Sequence, residues 1–278
     1  PITGQLSASA DWEAGARLGL MSPSAREIVT WSPDNSAGRD FLWGSLDPLQ
    51  QTNLNGDARL LNFLRGDATY EGSDFRARNS RLGDIVNSTP LHVGSDRQSY
   101  GSASGLTSAE RTSYLTRLNS ATFKNRQAMV YVGANDGMLH AFNAATGDEV
   151  FAFVPNAIFP NLKYLAEKDY KDGHRYYVDG SPVAGDAYIG GSWRTVLVGS
   201  TGAGGRSYFA LNIESPTTTP AASKVMWEFT HNELGLSIGQ ASIVKTESGQ
   251  WVAIFGNGYN SNSHRAQLFV VDLATGTL

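Results

Sequence analysis

Short apolar runs with strand-forming residues recur along the second half of the chain. Three of them end in Gly and occupy residues 129–133, 195–199 and 252–256. Their content of β-branched and aromatic residues favours buried strands over helices. The sequence Asn-Asp-Gly at residues 135–137 follows the first run and precedes another apolar run. This arrangement predicts a tight β-hairpin, because Gly supplies the positive φ that such a turn requires.

Each of these runs is followed by a copy of one phrase. The phrase consists of an apolar segment, an Asn or Asp, two spacers, a Thr or Ser, and a turn-forming residue. The copies occupy residues 141–147, 210–216 and 270–276, so they start about 60 to 70 residues apart. An internal repeat on this scale predicts a single four-stranded unit that occurs several times along the chain.

Small residues mark the innermost strand of each unit, where neighbouring backbones approach closely. These segments occupy residues 83–94, 178–188 and 237–244, and outer strands are predicted at residues 149–154 and 224–229. The sequence therefore predicts an all-β fold, a modified β-propeller with about three blades visible and with short helical insertions. Because propellers typically have four to eight blades, we expect a remainder of the same propeller that is missing from this chain.

The first 80 residues do not follow the blade pattern. They are predicted to form a lead-in segment whose short helices pack on the propeller, and the blades themselves are assigned to residues 81–278. Residues 1–21 have little periodicity and are predicted to be extended or loosely packed. Residues 27–31 have the composition of a strand, which we expect to supply an outer strand to another blade.

Helix signals occur in the lead-in and in two insertions, at residues 96–126 and 155–175. Asp47 and Thr107 each stand three residues before a Gln or Glu, which is the spacing of a capping box. The predicted helices begin at Pro48, extend from about residue 56 to a stop at Gly66, extend from Thr107 through Leu118, and extend from Pro160 to Ala166.

Composition excludes several classes of function. The net charge of −4 argues against a broadly cationic surface for nucleic acid. The sequence has no apolar run of the length that a membrane-spanning helix needs, so no membrane span is predicted. The lack of cysteine excludes disulfides, thiolate metal sites and cysteine nucleophiles.

Four segments carry a family resemblance. They are residues 61–67 (LNFLRGD), 75–90 (FRARNSRLGDIVNSTP), 130–142 (VYVGANDGMLHAF) and 176–186 (YYVDGSPVAGD). Together they resemble the PilY/PilC family, the large surface proteins of bacterial type IV pili. The Leu-Gly-Asp-Ile-Val-Asn-Ser and Val-Asp-Gly-Ser-Pro phrases are the more specific of these matches.

The resemblance implies a non-enzymatic, secreted protein at the bacterial cell surface, the outer membrane or the pilus tip. It implies roles in pilus assembly, in the control of retraction and hence twitching motility, in adhesion to host cells or surfaces, and in virulence. The implied partners are pilus subunits or minor pilins and a host-cell receptor. Family members bind Ca²⁺ through an Asp/Asn-rich loop of a later blade, and that loop is not in this sequence.

The tripeptide Arg65-Gly66-Asp67 is an integrin-type sequence and is the one candidate binding site. The predicted helix that ends here offers a structural alternative, which the sequence favours. Arg65 suits the C-terminus of a helix, where a cation meets the dipole, and Gly66 suits the left-handed position that follows.

No catalytic or metal-binding residue is assigned. The histidines lack a ligand spacing, and no nucleophile elbow is present. Two polar sets do not match the spacing of an EF-hand loop and are interpreted as solvated loops or helix caps; they are Asp34, Asn35 and Asp40, and Asn53, Asn55 and Asp57. Four side chains are predicted to pack within the blades, namely His140, Trp193, Trp227 and Trp251.

Two other function classes remain open. A quinoprotein dehydrogenase repeats a similar Asp-Gly and Thr-Gly blade phrase, although no acidic cluster converges in this sequence. A secreted carbohydrate-binding propeller would instead use exposed tryptophans as stacking platforms. Bound quinone would distinguish the first, and glycan binding that an exposed Trp supports would distinguish the second.

Overall fold

Three β-sheets follow one another along the chain in a computed structural model that describes residues 9–95 and 105–278. The first sheet has the order β2-β1-β6-β5-β4-β3, the second β10-β9-β8-β7 and the third β11-β12-β13. The strands are β1 (Ile28–Ser32), β2 (Ala37–Asp40), β3 (Leu91–Val93), β4 (Met129–Ala134), β5 (Met138–Asn143), β6 (Glu149–Val154), β7 (Val183–Ile189), β8 (Ser192–Ser200), β9 (Tyr208–Asn212), β10 (Val225–Phe229), β11 (Ser242–Lys245), β12 (Trp251–Gly256) and β13 (Leu268–Asp272).

Short helices lie in the lead-in and in the connections between strands. The α-helices are α1 (Ala14–Leu20), α2 (Pro48–Asn53), α3 (Ala58–Arg65), α4 (Ser108–Asn119), α5 (Ala121–Lys124), α6 (Phe159–Leu162) and α7 (Ala221–Lys224). Single turns of 3-10 helix are formed by Pro23–Ala25, Trp43–Ser45, Asn156–Ile158, Lys163–Ala166 and Tyr170–Asp172.

The predicted blade centres lie in three separate sheets. Val130, Val196 and Ile254 belong to β4, β8 and β12, and each of these strands has a hydrogen-bonded neighbour on both sides. Within the residues that the structure describes, the sheets do not close into a ring. The prediction of an all-β fold built from successive blades is therefore confirmed.

The repeated phrase forms the turn after the third strand of a blade. In the first sheet, Oδ1 of Asn143 accepts hydrogen bonds from the backbone N–H groups two and three residues further on, at 2.9 and 3.3 Å. In the third sheet, Oδ1 of Asp272 accepts the equivalent pair at 3.0 and 2.9 Å. A short side chain that accepts from nearby N–H groups stabilises a turn locally, which explains why the phrase recurs.

The capping signals are confirmed. Asp47 with Gln50 and Thr107 with Glu110 form complete capping boxes at the starts of α2 and α4. Helix α3 begins two residues later than predicted and ends at Gly66, whose φ of 110° is left-handed. The predicted helix over residues 160–166 is observed as α6 and the 3-10 turn that follows it.

Two expectations for the lead-in are wrong. Strand β1 does not join another blade, because it pairs in parallel with β6 at the outer edge of the first sheet and brings β2 with it. Residues 14–20 are helical and not extended, because the side chain of Glu13 accepts the N–H groups of Gly15 and Ala16 and so stabilises the first turn. Residues 1–8 of the predicted lead-in lie outside the described residues.

The inner strands are shorter than the predicted segments, since they span only Leu91–Val93, Val183–Ile189 and Ser242–Lys245. The division of the chain at residue 80 stays a prediction. Part of the first predicted insertion, residues 96–104, also lies outside the described residues.

Two apolar cores hold the sheets together. One core lies among α3, α6, the first sheet and the second sheet, and includes the rings of Phe153 and Phe209, 4.8 Å apart. The other lies between the second and third sheets and receives side chains from α4. Trp193, Trp227 and Trp251 are buried in this second core, as predicted.

Candidate functional site

Segments that carry the family resemblance meet at one end of the first sheet. They are residues 83–89, residues 133–137 around the β4–β5 turn, and residues 177–181, and we call their meeting point the motif junction. These segments lie far apart in the sequence, so the fold itself brings them together.

Asn135 and Asp136 of the β4–β5 turn bind the two other segments. The backbone N–H of Gly83 donates to Oδ2 of Asp136 at 2.9 Å, and Nδ2 of Asn135 donates to Oδ2 of Asp84 at 2.8 Å. Oδ1 of Asn135 accepts the backbone N–H of Tyr177 at 2.9 Å. The hairpin turn is therefore fixed on both sides by hydrogen bonds.

Asp179 and Ser88 complete the motif junction, and both are buried. The backbone N–H and the side-chain amide of Asn87 donate to the two carboxylate oxygens of Asp179, at 3.1 and 2.6 Å. The hydroxyl of Ser88 donates to the carbonyl of Gly180 and accepts the N–H of Gly133. These bonds join the first sheet to the chain that enters the second sheet.

Close backbone contact explains two glycines of the motif junction. A Cβ atom on Gly83 would lie 2.3 Å from the backbone N of Asp136. A Cβ atom on Gly133 would lie 2.3 Å from the carbonyl oxygen of Val178. Since real Cβ atoms do not approach backbone so closely, any larger residue would separate the joined segments.

A buried row of charges continues from the motif junction into the lead-in. The carboxylate of Glu149 accepts from Nε of Arg26 at 2.7 Å and lies 2.7 Å from Nδ1 of His140. Nε2 of His140 lies 3.0 Å from Oδ2 of Asp136. We call these four residues the buried charge row, and three of its side chains are at most 1% exposed.

The contacts within the buried charge row favour the ionised forms of His140 and Glu149. Burial alone would lower the pKa of His140, but Asp136 and Glu149 outweigh this effect and raise it to about 9. Burial would also raise the pKa of Glu149, but Arg26 and His140 lower it to about 2. The row thus stabilises the contact between the lead-in and the first sheet, because it joins Arg26 to Glu149 and His140.

A second set of ion pairs fixes helix α4 to the other two sheets. The guanidinium of Arg117 contacts Asp186 at 3.0 Å and Glu214 at 2.6 Å. These carboxylates raise the pKa of Arg117 although burial opposes them. Lys245 of the third sheet pairs with Glu110 of α4 at 2.7 Å. The insertion helix that follows β3 therefore bridges the second and third sheets.

The candidate tripeptide has a structural role in this arrangement. Arg65 is 6% exposed, and its guanidinium donates to the backbone carbonyls of Pro23, Arg26 and Phe41. Gly66 takes the left-handed position at the end of α3. Arg65 is thus withdrawn from the surface, in agreement with the structural alternative that the sequence favoured.

Asp67 is the more accessible charged residue of the tripeptide. Its Oδ1 accepts the backbone N–H and the hydroxyl of Thr69 at 2.8 and 2.6 Å, and these bonds lower the pKa of Asp67. An integrin-type contact needs the guanidinium as well as the carboxylate. Binding through this tripeptide therefore stays a prediction, and the burial of Arg65 argues against it.

The two polar sets lie in loops and caps. The backbone N–H of Asp34 donates to Asp47, and Asn35 donates to Ser32. Asp57 is the N-cap of α3. In residues 9–95 and 105–278, no three His, Asp or Glu side chains converge in a group that could hold a metal ion. The other members of the sets are Asp40 in β2, Asn53 at the end of α2, and Asn55, with a φ of 58°.

Sequence reasoning did not identify Asp84, Asn87 and Asp179 as a site. The only local signal was an Asp next to Gly ahead of the first two inner strands, at Asp84 and Asp179, and an isolated turn shows the same feature. Asn87 and Asp179 lie 92 residues apart, so their pairing becomes visible only in the fold. The prediction that His140 is a packed, hydrogen-bonded blade residue is confirmed.

The blade sheets, their repeated turn and the motif junction define a β-propeller protein. Residues 82–278 match the family model described as the PilY1 beta-propeller domain. The chain therefore belongs to the PilY1 β-propeller family.

Similar proteins carry related names. A type IV pilus biogenesis factor PilY1 homolog of Xylella fastidiosa is 48% identical over 79% of this chain and 15% of its own length. The type IV pilus biogenesis factor PilY1 of Pseudomonas aeruginosa strain PAK is 40% identical over 96% of this chain and 24% of its own length. This chain thus spans at most about a quarter of the length of these two relatives.

A solved structure supports the fold. The crystal structure of the Pseudomonas aeruginosa PilY1 C-terminal domain aligns with a TM-score of 0.52 and 36% identity. The alignment covers 67% of this chain and 35% of that domain. In the part of the chain that the structure describes, no helix has the length and apolar character needed to cross a membrane.

Proposed function

We propose that this chain is part of a non-enzymatic, pilus-associated protein of the bacterial cell surface that acts in the assembly of type IV pili. The naming of the Xylella and Pseudomonas relatives as pilus biogenesis factors is the observation that carries this proposal. The motif junction supports a scaffolding mechanism, because it joins two blades rigidly and holds the adjacent loops in place. The proposed partners are pilus subunits or minor pilins.

Gene deletion and complementation test this proposal. Deleting the gene in the bacterium that carries it should reduce the amount of pilin sheared from the cell surface, and the full-length wild-type protein should restore it. Unchanged surface pilin after deletion would contradict the pilus role.

A matched pair of variants tests the scaffolding mechanism. Asp179→Ala in the full-length protein removes two hydrogen bonds from Asn87 to a buried carboxylate, which should cost about 2 kcal/mol and lower surface pilin. Asp169→Ala is the control, because Asp169 is exposed and its side chain does not cap a helix. Equal surface pilin for both variants, at equal amounts of protein, would argue against the mechanism.

Control of retraction and adhesion are finer parts of the same proposal. Colony spreading of the deletion strain would report retraction, and attachment to cultured host cells would report adhesion. If the tripeptide contributes to adhesion, Asp67→Ala should abolish attachment without lowering the melting temperature. Unchanged attachment would remove the tripeptide as the adhesive site.

Calcium binding and packing against a further blade also stay proposals. The family resemblance implies a Ca²⁺ loop outside this sequence, so removal of calcium should lower the melting temperature of the full-length protein. Exposed apolar residues on the third sheet support packing against a further sheet of the same propeller; they are Val244, Leu268 and Val270. Hydrogen exchange of the full-length protein should show protection at β13.

A further inference from the structure

A cavity of about 440 Å³ opens beside the motif junction. One wall is formed by the arginine-rich stretch of residues 76–81. This stretch belongs to a segment that carries the family resemblance, but it takes no part in the motif junction. The opposite wall contains Asp84, Asp136 and Tyr170, and Phe63 and Leu165 contribute apolar surface. A volume of this size can hold a side chain together with part of the peptide that carries it.

Two of the three arginines in this wall have donors to spare. Arg76 uses Nε to donate to the carbonyl of Leu165, and its guanidinium lies 4.5 Å from the ring centre of Tyr170. Its two terminal nitrogens make no hydrogen bond to a described residue, and they are not buried. Arg81 uses Nη1 to donate to the carbonyls of Leu18 and Met21, which leaves Nε and Nη2 accessible in the same way.

Arg78, by contrast, is fully engaged. It pairs with Glu71, donates to the backbone carbonyl of Phe63, and lies 3.7 Å from the ring centre of Phe63. Burial lowers the pKa of Arg78, and the nearby charges of Arg76 and Arg81 lower it further. The three cations are therefore close enough to repel one another, and an additional anion would relieve this repulsion.

The carboxylates of the cavity are already occupied. Asp136 contacts the protonated ring of His140 and accepts the N–H of Gly83. Asp84 accepts the amide of Asn135 and pairs with His174. The side chains that line the cavity, taken with their direct ion-pair partners, therefore leave positive charge in excess, and the free donors belong to the arginines.

We propose that this cavity binds a carboxylate on an acidic segment of a partner protein. Guanidinium groups match a carboxylate through paired, nearly parallel N–H donors, and Arg76 and Arg81 both retain such donors. A phosphate offers similar oxygens, but its second negative charge would be repelled by Asp84 and Asp136. The proposal rests on the residues that line the cavity, and it does not depend on the proposed role in pilus assembly.

Calorimetric titration of the full-length protein tests the proposal. The probe is a blocked five-residue peptide with one central Glu among Ala and Gly, and its twin carries Gln at that position. The Glu peptide should bind at least about tenfold more tightly, and its affinity should fall as salt is raised. Equal affinity of the two peptides would overturn the proposal, and tighter binding of inorganic phosphate would overturn the choice of carboxylate.

Matched variants locate the binding. Asn79 lines the cavity and makes no hydrogen bond to a described residue, so Asn79→Asp adds a repelling charge without removing a contact. It should weaken the Glu peptide about tenfold, whereas Asn119→Asp on the exposed end of α4 should not. Arg76→Lys keeps the charge but loses the paired donors, and should weaken binding severalfold. Wild-type affinity in both Asn79→Asp and Arg76→Lys would place the ligand elsewhere.

Discussion

In both the first and the third sheet, the turn formed by the repeated phrase contacts a tryptophan. The two tryptophans come from different parts of the chain. The indole N–H of Trp227 donates to the carbonyl of Leu273 at 2.9 Å, and the indole N–H of Trp12 donates to the carbonyl of Ala144 at 3.0 Å. Leu273 and Ala144 occupy the same position of the repeated phrase. Trp227 belongs to the outer strand of the second sheet, whereas Trp12 belongs to the lead-in.

The glycines that end the phrase confirm this equivalence. A Cβ atom on Gly276 would lie 2.6 Å from the Trp227 ring, and one on Gly147 would lie 2.5 Å from the Trp12 ring. The lead-in therefore contacts the first sheet in the way that a neighbouring blade contacts the third. It is an integral part of blade packing, and the buried charge row attaches it further.

The two sheets differ in what covers the rest of their surface. The outer edge of the first sheet carries β1 and β2. In the third sheet, Phe269 and Val271 of β13 are buried, but Leu268 and Val270, which alternate with them, are 67% and 43% exposed. A strand that is apolar on both faces is typical of a sheet buried on both sides. The comparison thus separates a covered blade from one with a free apolar face.

Truncating the two tryptophans should produce the largest difference. Trp227→Ala empties a site that is 2% exposed in wild type, and should lower the free energy of unfolding by about 4 kcal/mol. Trp12 is only partly buried, so Trp12→Ala should cost about 1–2 kcal/mol. Urea unfolding followed by circular dichroism would measure both. Equal losses would show that the two contacts do not differ in burial as the structure indicates.

Breaking the ion pairs that attach each region should have the next largest effect. Glu149→Gln leaves Arg26 and His140 buried without their counter-charge and should cost about 3 kcal/mol. Glu110→Gln is the matched change at the third sheet, where the pair with Lys245 is less buried, and should cost about 1 kcal/mol. A larger loss for Glu110→Gln would reverse our ranking of the two attachments.

The buried charge row also predicts that the stability of the fold decreases at both acidic and basic pH. The pKa of Glu149 is lowered from 4.5 to about 2, so its contribution to stability is present above pH 4.5 and is lost towards pH 2. The pKa of His140 is raised from 6.5 to about 9, so its contribution is complete below pH 6.5 and is lost as the pH rises through 9. The row should stabilise the protein most between about pH 4.5 and 6.5.

Thermal unfolding across this range would test the pH dependence. The melting temperature of the wild type should fall on both sides of the window, and that of Glu149→Gln should fall less steeply on the acidic side. A variant profile parallel to that of the wild type would mean that other groups cause the dependence.

Local signals explain which parts of this fold the sequence predicted. Strand composition, the Asn-Asp-Gly turn and the capping boxes act within a few residues, so the blades and the helices α2 to α4 could be assigned. The parallel pairing of β1 with β6 and the contact of Trp12 with Ala144 join distant segments, and no local pattern encodes them. Helix α1 was missed because Glu13 is an unusual N-cap.

The motif junction shows the same limit for the candidate site. Its residue types were visible in the family phrases, but their roles depend on pairs such as Asn87 with Asp179. Arg65 could be placed at the end of α3 because helix ends follow local rules. The accessible donors of Arg76 and Arg81 could not be predicted, since the carbonyls that occupy their other nitrogens come from other segments.

Adding a methyl group to the two turn glycines gives the sharpest comparison. Gly147 and Gly276 have φ values of 73° and 75°, so Ala at either position should cost about 1 kcal/mol in backbone strain. Gly276→Ala should cost more, because the buried Trp227 cannot move away, whereas Trp12 is partly exposed. Combining Gly147→Ala with Trp12→Ala removes the clash, and the two losses should then be less than additive. Strict additivity in urea unfolding would show that Trp12 does not lie on this turn, and the likeness between the lead-in and a neighbouring blade would fail.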